Sequence, residues 1–214
     1  MRIRVKICGM TRPEDASVAA RLGVDAIGLV FYPRSPRAVG IPLARQIARS
    51  MPPFVSVVAL FVDERPDAIR AVLESVPVDL LQFHGDETNE ECAVFGRPFI
   101  KMIAMRDGVD LASRMDGYPD AAGFLLDAYQ PQTRGGGGRV FDWDQVPADL
   151  DRPIILAGGL TPENVADAVR RVRPYAVDVS SGVEQCKGIK SADRMAAFLR
   201  GVRRCDTGQD RETF

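Results

Sequence analysis

Short apolar runs alternate with amphipathic helical stretches along almost the entire chain. The runs Val5–Cys8, Ala26–Phe31, Val55–Val62, Leu80–Phe83, Ile100–Ala104, Gly123–Asp127, Ile154–Ala157 and Ala176–Val179 are short, mostly apolar and bounded by polar or turn-forming residues, as strands are. Between them, start signals announce helices. Thr11 with Glu14 makes a capping-box pattern, and Pro13 suits a first turn. Thr161-Pro162 repeats that logic before Glu163–Val172, and Ser191 can cap Ala192–Arg203. Behind Pro66, the apolar Ile69, Val72, Leu73 and Val76 recur at helical spacing over Asp67–Val76. The sixth helix is poorly marked, no more than a turn around Asp142–Val146. One βα unit repeated eight times predicts an α/β chain with a single-domain (β/α)8 barrel over residues 1–204. Residues 205–214 form a polar tail with the composition of a disordered terminus. An open doubly wound sheet shows the same alternation, but no G-x-G-x-x-G follows the first strand, and the unit count fits closure.

Composition narrows the function classes. A chain of 214 residues suffices for one barrel, and its net charge of −1 argues against a nucleic-acid or acidic-lipid surface. Lysine occurs only at 6, 101, 187 and 190, so arginine dominates the positive charge. Cys8, Cys92, Cys186 and Cys205 lack zinc-site spacing, and the single histidine, His84, argues against a His-based metal site. No apolar run approaches the ~20 residues needed to cross a bilayer. Met1-Arg2 runs into a strand without a signal-peptide pattern, so a reduced, cytoplasmic protein is expected.

In parallel α/β folds, reactive groups gather where strands end, so each strand exit is a candidate. The first offers Cys8, either a reactive thiol or a packed core cysteine. The second runs into Pro33-Arg34-Ser35-Pro36-Arg37, a proline-braced loop with two arginines suited to a bidentate carboxylate contact. The sixth ends in Asp127. The seventh and eighth give Gly158-Gly159 and Ser180-Ser181-Gly182, where bare backbone N–H groups, two hydroxyls and a helix turn suit a phosphate. Two ordinary tight turns would look the same in isolation. Gly135–Gly138 reads either as a flexible linker or, within Tyr129–Arg139, as a mobile lid over the phosphate. His84-Gly85-Asp86-Glu87 is a weak metal candidate, because consecutive turn residues rarely converge on one ion.

Taken together these segments resemble the phosphoribosylanthranilate isomerase family of tryptophan biosynthesis. The marks are Lys6–Thr11, Phe31 through Arg37, Leu81–Glu87, Leu126-Asp127, Gly135–Gly138 with Phe141-Asp142-Trp143, Leu156–Leu160 and Val177–Glu184. The resemblance implies an Amadori rearrangement of a small-molecule phosphosugar, with no metal and no other cofactor. It makes Cys8 the general base and Asp127 the general acid. It assigns Arg37, rather than Arg34, to the anthranilate carboxylate, and makes Asp178 an acidic substrate contact. Gly158, Gly159, Ser180, Ser181 and Gly182 then bind the phosphate. Two departures stand out. Gly137 and Arg139 replace the hydroxyl residue and lysine usual in the glycine-rich loop, and Lys187–Ser191 replaces a common Pro-Gly-x-Lys-Asp pattern.

The chemistry suits those residues. Ring opening needs a proton from a carboxylic acid kept neutral by burial, and the iminium that results acidifies a C2 proton that a thiolate can take. A thiol beside cationic groups is expected to have a lowered pKa. A histidine-pathway isomerase on the same barrel would use two carboxylates, and a phosphate sensor would need only the cradle. Cys8 and Asp127 argue against both. Oligomeric state has no signature in the sequence.

Overall fold

The computed structural model describes residues 2–106, 108–128 and 140–206. All eight expected strands form: β1 (Arg4–Cys8), β2 (Ala26–Val30), β3 (Ser56–Phe61), β4 (Leu80–Phe83), β5 (Phe99–Met105), β6 (Gly123–Ala128), β7 (Ile154–Leu156) and β8 (Ala176–Val179). They pair in sequence order into a closed parallel barrel, sealed by the β1–β8 ladder in which Lys6 stands opposite Asp178. The helices are α1 (Pro13–Leu22), α2 (Ile41–Arg49), α3 (Pro66–Ser75), α4 (Asn89–Ala93), α5 (Leu111–Asp116), α6 (Val165–Val172) and α7 (Ala192–Asp206). After β6 the described residues contain only a 3-10 turn, Trp143–Gln145, as the weak pattern there predicts.

Strand side chains alternate between the barrel interior and the helix layer, and this parity places the site. Val5 and Ile7 belong to the large outer core with Ile27, Leu29, Phe61, Phe83 and Phe124. Inside the barrel, Ile100, Leu125, Ile155, Ala157 and Ala176 fill one layer, and Cys8, Val30, Leu60 and Val62 pack in another. An inward Leu125 therefore sends Asp127 inward at the carboxyl end of β6, and Ala176 does the same for Asp178 on β8.

Some helix starts differ from the sequence reading. Arg12, not Thr11, is the residue before α1, and no side chain caps that helix. The Thr11 hydroxyl instead donates to the carbonyl of Gly188. Helix α6 starts at Val165 rather than Glu163, because Asn164 folds back to accept the Thr161 N–H at 2.8 Å and donates to the Gly159 carbonyl at 3.0 Å. Ser191 does cap α7, accepting the Arg194 N–H at 3.3 Å. Cys205, read as the start of the polar tail, lies within α7, its thiol 3.3 Å from the Ala166 carbonyl. Residues 207–214 lie outside the described residues.

Between β8 and α7 the βα repeat is interrupted. A 3-10 turn, Ser181–Val183, leads into an antiparallel hairpin of β9 (Glu184–Cys186) and β10 (Ile189–Lys190) that no sequence signal announced.

Candidate active site

Cys8 closes β1 with 5 % of its surface exposed, facing Gly28 across the β1–β2 ladder. A Cβ at Gly28 would stand 2.6 Å from Sγ, so the absent side chain of β2 makes room for the thiol. One inward position earlier, Lys6 donates to Asp178 Oδ1 at 2.9 Å in a buried ion pair. Burial pushes the Cys8 thiol up, and the cations of Lys6 and Lys190 do not reverse that shift, which Asp178 reinforces. The expected lowering of this thiol is thus corrected, because desolvation of a charge inside the barrel mouth outweighs neighbours that carry their own counter-ions. Lys6 is held above the ordinary lysine range: burial pulls it down, but Asp178 and Cys8 outweigh that pull.

Asp127 ends the inward face of β6, with its Oδ1 accepting the Ala128 N–H at 2.8 Å. His84 Nε2 lies 3.5 Å from Asp127 Oδ2, and Gln82 Nε2 stands 3.1 Å from His84 Nδ1. The Gln82 contact occupies Nδ1, so Nε2 is the ring nitrogen directed at the carboxyl. Gly158, at φ 77°, packs under the same carboxyl: a Cβ there would meet Ala128 N at 2.5 Å and Asp127 Oδ1 at 2.8 Å. The Gly158 position thus makes room for the Asp127 carboxyl, a role the phosphate reading alone does not suggest.

Arg37 is buried, and its Nε and Nη2 bind Glu184 side-on at 2.7 and 2.8 Å. The hydrogen bonds it donates to Glu184 hold the guanidinium above its usual range, and Arg37 and Lys190 together hold Glu184 low against the opposing effect of burial. One edge of the fork expected to be open to a ligand is therefore taken; the Nη1/Nη2 end remains. Gly9, at φ 77°, separates this arginine from Ser180, since a Cβ on it would lie 2.5 Å from Arg37 Cδ and 3.2 Å from Ser180 Oγ. The first, second and eighth strand exits thus meet around one glycine.

The seventh and eighth exits pack directly on one another. A Cβ at Gly182 would overlap the Leu160 carbonyl oxygen, so that glycine is required by contact between the two loops. Gly159 is left-handed, at φ 67°. Ser181 opens the 3-10 turn, whose first N–H groups have no partner within the turn itself. The Tyr129–Arg139 segment, including Gly135–Gly138, lies outside the described residues.

Lys6, Glu184, Lys190 and Asn164 were missed as participants. The first three stood inside quoted segments, but a charge has no visible partner when that partner is distant in sequence: Lys6 pairs across 172 positions and Arg37 across 147. Among the described residues no group of three or more His, Cys, Asp or Glu side chains could hold a metal ion, and no helix is long and apolar enough to cross a membrane.

A closed (β/α)8 barrel with its thiol, carboxyls and buried cations collected at the carboxyl ends of the strands defines a barrel enzyme of the small-molecule class. Comparison with known proteins sharpens this. Residues 5–201 match the family model for N-(5'-phosphoribosyl)anthranilate (PRA) isomerase, and the chain belongs to that family. It is 59 % identical over 202 residues to the N-(5'-phosphoribosyl)anthranilate isomerase of Nitrosococcus oceani, covering 94 % of this chain and 98 % of that one. It is 56 % identical to the one from Pseudomonas aeruginosa, over 94 % and 95 %. The solved phosphoribosyl anthranilate isomerase of Thermotoga maritima superposes with a TM-score of 0.86 at 40 % identity, covering 94 % of this chain and 98 % of that chain. A phosphoribosyl anthranilate isomerase in complex with reduced 1-(o-carboxyphenylamino)-1-deoxyribulose 5-phosphate superposes at 0.83 with 38 % identity, again over 94 % and 98 %.

Proposed function

We propose that this chain isomerises N-(5'-phosphoribosyl)anthranilate to 1-(o-carboxyphenylamino)-1-deoxyribulose 5-phosphate in tryptophan biosynthesis, by general acid–base catalysis between Asp127 and Cys8. Family membership along the whole barrel is the observation that carries the reaction; the buried, inward placement of both groups supports their roles.

Asp127 protonates the furanose ring oxygen, the C1–O bond breaks, and an iminium forms between C1 and the anthranilate nitrogen. Its Oδ1 is occupied by the Ala128 N–H, so Oδ2 is the oxygen that faces the reaction, with His84 beside it. Cys8 then removes the C2 proton, giving an enolamine, which becomes the ketone as C1 takes up a proton and the C2 hydroxyl gives one up. The elevated thiol pKa is no obstacle in this order of events. Iminium formation places a positive charge beside Sγ when the base is required, and an adjacent cation favours the thiolate.

The Nη1/Nη2 end of Arg37 holds the anthranilate carboxylate. Backbone N–H groups of Gly158, Gly159, Ser181 and Gly182, with the hydroxyls of Ser180 and Ser181, hold the phosphate, and Asp178 contacts the sugar hydroxyls while paired to Lys6. Each step is a proton transfer or a bond change assisted by one. The test is direct: freshly prepared phosphoribosylanthranilate is converted by the purified protein, followed by loss of anthranilate-type fluorescence, before and after exhaustive chelation. No conversion refutes the reaction; conversion lost on chelation and restored by a divalent ion refutes its cofactor-free form.

A further inference from the structure

We infer that Glu184 and Lys190 are positioning residues that set the span between the carboxylate-holding guanidinium of Arg37 and the phosphate-holding loop at Ser180, with the β9–β10 hairpin as the device that brings them there. This rests on the roles proposed above for Arg37 and Ser180.

The geometry is a continuous chain of buried contacts. Glu184 takes Arg37 Nε and Nη2 side-on, which removes the rotational freedom of the guanidinium and leaves one end of it to present. Glu184 Oε1 is shared with Lys190 Nζ at 2.9 Å. Lys190 then reaches the Ser180 carbonyl at 3.1 Å and the Ser180 hydroxyl at 3.4 Å, so its three donors are all directed. The three charged side chains are 10 %, 5 % and 0 % exposed and sum to +1, the sign that suits a ligand with an anion at each end.

The hairpin is itself tied to the barrel. Lys190 donates its backbone N–H to Asp15 at 2.9 Å, Ser191 donates to Val183 at 2.9 Å, and the Thr11 hydroxyl donates to Gly188. Gly188, at φ 83°, turns the hairpin so closely that a Cβ there would reach the Pro36 carbonyl at 3.4 Å and Thr11 at 3.5 Å. It therefore abuts the loop that carries Arg37. Stability alone does not call for such an arrangement, since apolar residues in place of a buried ion triad often fold equally well. A fixed guanidinium gives it a purpose.

The test uses equilibrium binding of two probes: reduced 1-(o-carboxyphenylamino)-1-deoxyribulose 5-phosphate and the same compound without its carboxylate. Glu184→Gln keeps the side-chain shape and loses the charge. It should weaken the carboxylated probe by about tenfold or more, hold the other within about twofold, and raise KM more than it lowers kcat. In an Arg37→Ala background it should cost the carboxylated probe nothing further. Lys190→Met, which also releases Ser180, should weaken both probes. Equal loss of both probes in Glu184→Gln, or no loss of either, overturns the inference. If wild type does not discriminate between the probes, the role given to Arg37 falls as well; if it does and Glu184→Gln behaves as wild type, only the positioning role falls. Should Glu184→Gln not fold, Glu184→Asp decides, because it retains the charge yet draws Arg37 back by one methylene and should show the same selective loss.

Discussion

Lys6 and Asp178 face one another across the seam that closes the barrel, 2.9 Å apart, with side chains 6 % and 9 % exposed. The pair sits directly below Cys8, so one ion pair closes the β1–β8 ladder and forms part of the electrostatic floor of the site. Its members are not individually replaceable. Lys6→Met leaves Asp178 buried without a counter-ion and should cost about 3–5 kcal/mol of folding stability, measured by denaturant unfolding. Adding Asp178→Asn should recover part of that loss. A single variant as stable as wild type would show that water reaches Asp178.

The pH dependence follows from burial of the thiol. Because the Cys8 pKa is raised in the fold, the thiolate is a small fraction at neutral pH and grows about tenfold for each pH unit below that pKa. The limb of kcat/KM that belongs to the base should therefore climb into the alkaline range. The linked effect on stability has the opposite sense. The native state holds this proton more tightly than the unfolded chain, so the contribution is complete below the unfolded thiol value and is lost as pH rises through the folded one. Alkylation of Cys8 against pH, mapped by peptide, locates the transition; half-reaction at or below the free-thiol value contradicts the account.

Arg37→Ala should do more than weaken the ligand. Loss of a charge-assisted bidentate contact costs about 2–3 kcal/mol of binding, and Glu184 is left with Lys190 alone. Both the affinity for the carboxylated product analogue and the melting temperature should fall. Unchanged affinity with a lower melting temperature would make Arg37 purely structural.

Much of this architecture is legible in the chain before any coordinates. The eight strands are short apolar runs with clear ends, and their exits bring Cys8, Asp127, Arg37 and the glycine–serine turns to one end of the barrel, whereas Asp178, inside β8, is named only through the family resemblance. What sequence does not reveal is pairing at a distance. Nothing near Lys6 announces Asp178, and nothing near Arg37 announces Glu184, so an arginine read as a free fork proves to be half occupied. Thr11 shows the same limit locally: a hydroxyl that fits a capping box finds a carbonyl on the β9–β10 hairpin instead. The lowered thiol pKa expected from the sequence is overturned for an energetic reason: desolvation inside the folded barrel outweighs Lys6, two residues away, and Lys190, which only the fold brings near.

Gly182→Ala should damage the site through the backbone rather than by filling space for the anion. Its methyl would overlap the Leu160 carbonyl, forcing the seventh and eighth loops apart. Inorganic phosphate should then compete less well against the product analogue, and melting should occur at a lower temperature. Equal competition and unchanged melting would place the phosphate site elsewhere.

The central claim is that Cys8 and Asp127 move the protons, and turnover of phosphoribosylanthranilate by Cys8→Ser and Asp127→Asn, set beside their affinity for the reduced product analogue, tests it most directly. A serine hydroxyl is a far weaker base and an amide cannot deliver a proton, so each variant should lose on the order of 10²–10⁴-fold in kcat. Both should stay folded and still bind the analogue through its phosphate and carboxylate. A folded variant of either kind that binds the analogue and turns over at the wild-type rate would contradict the account.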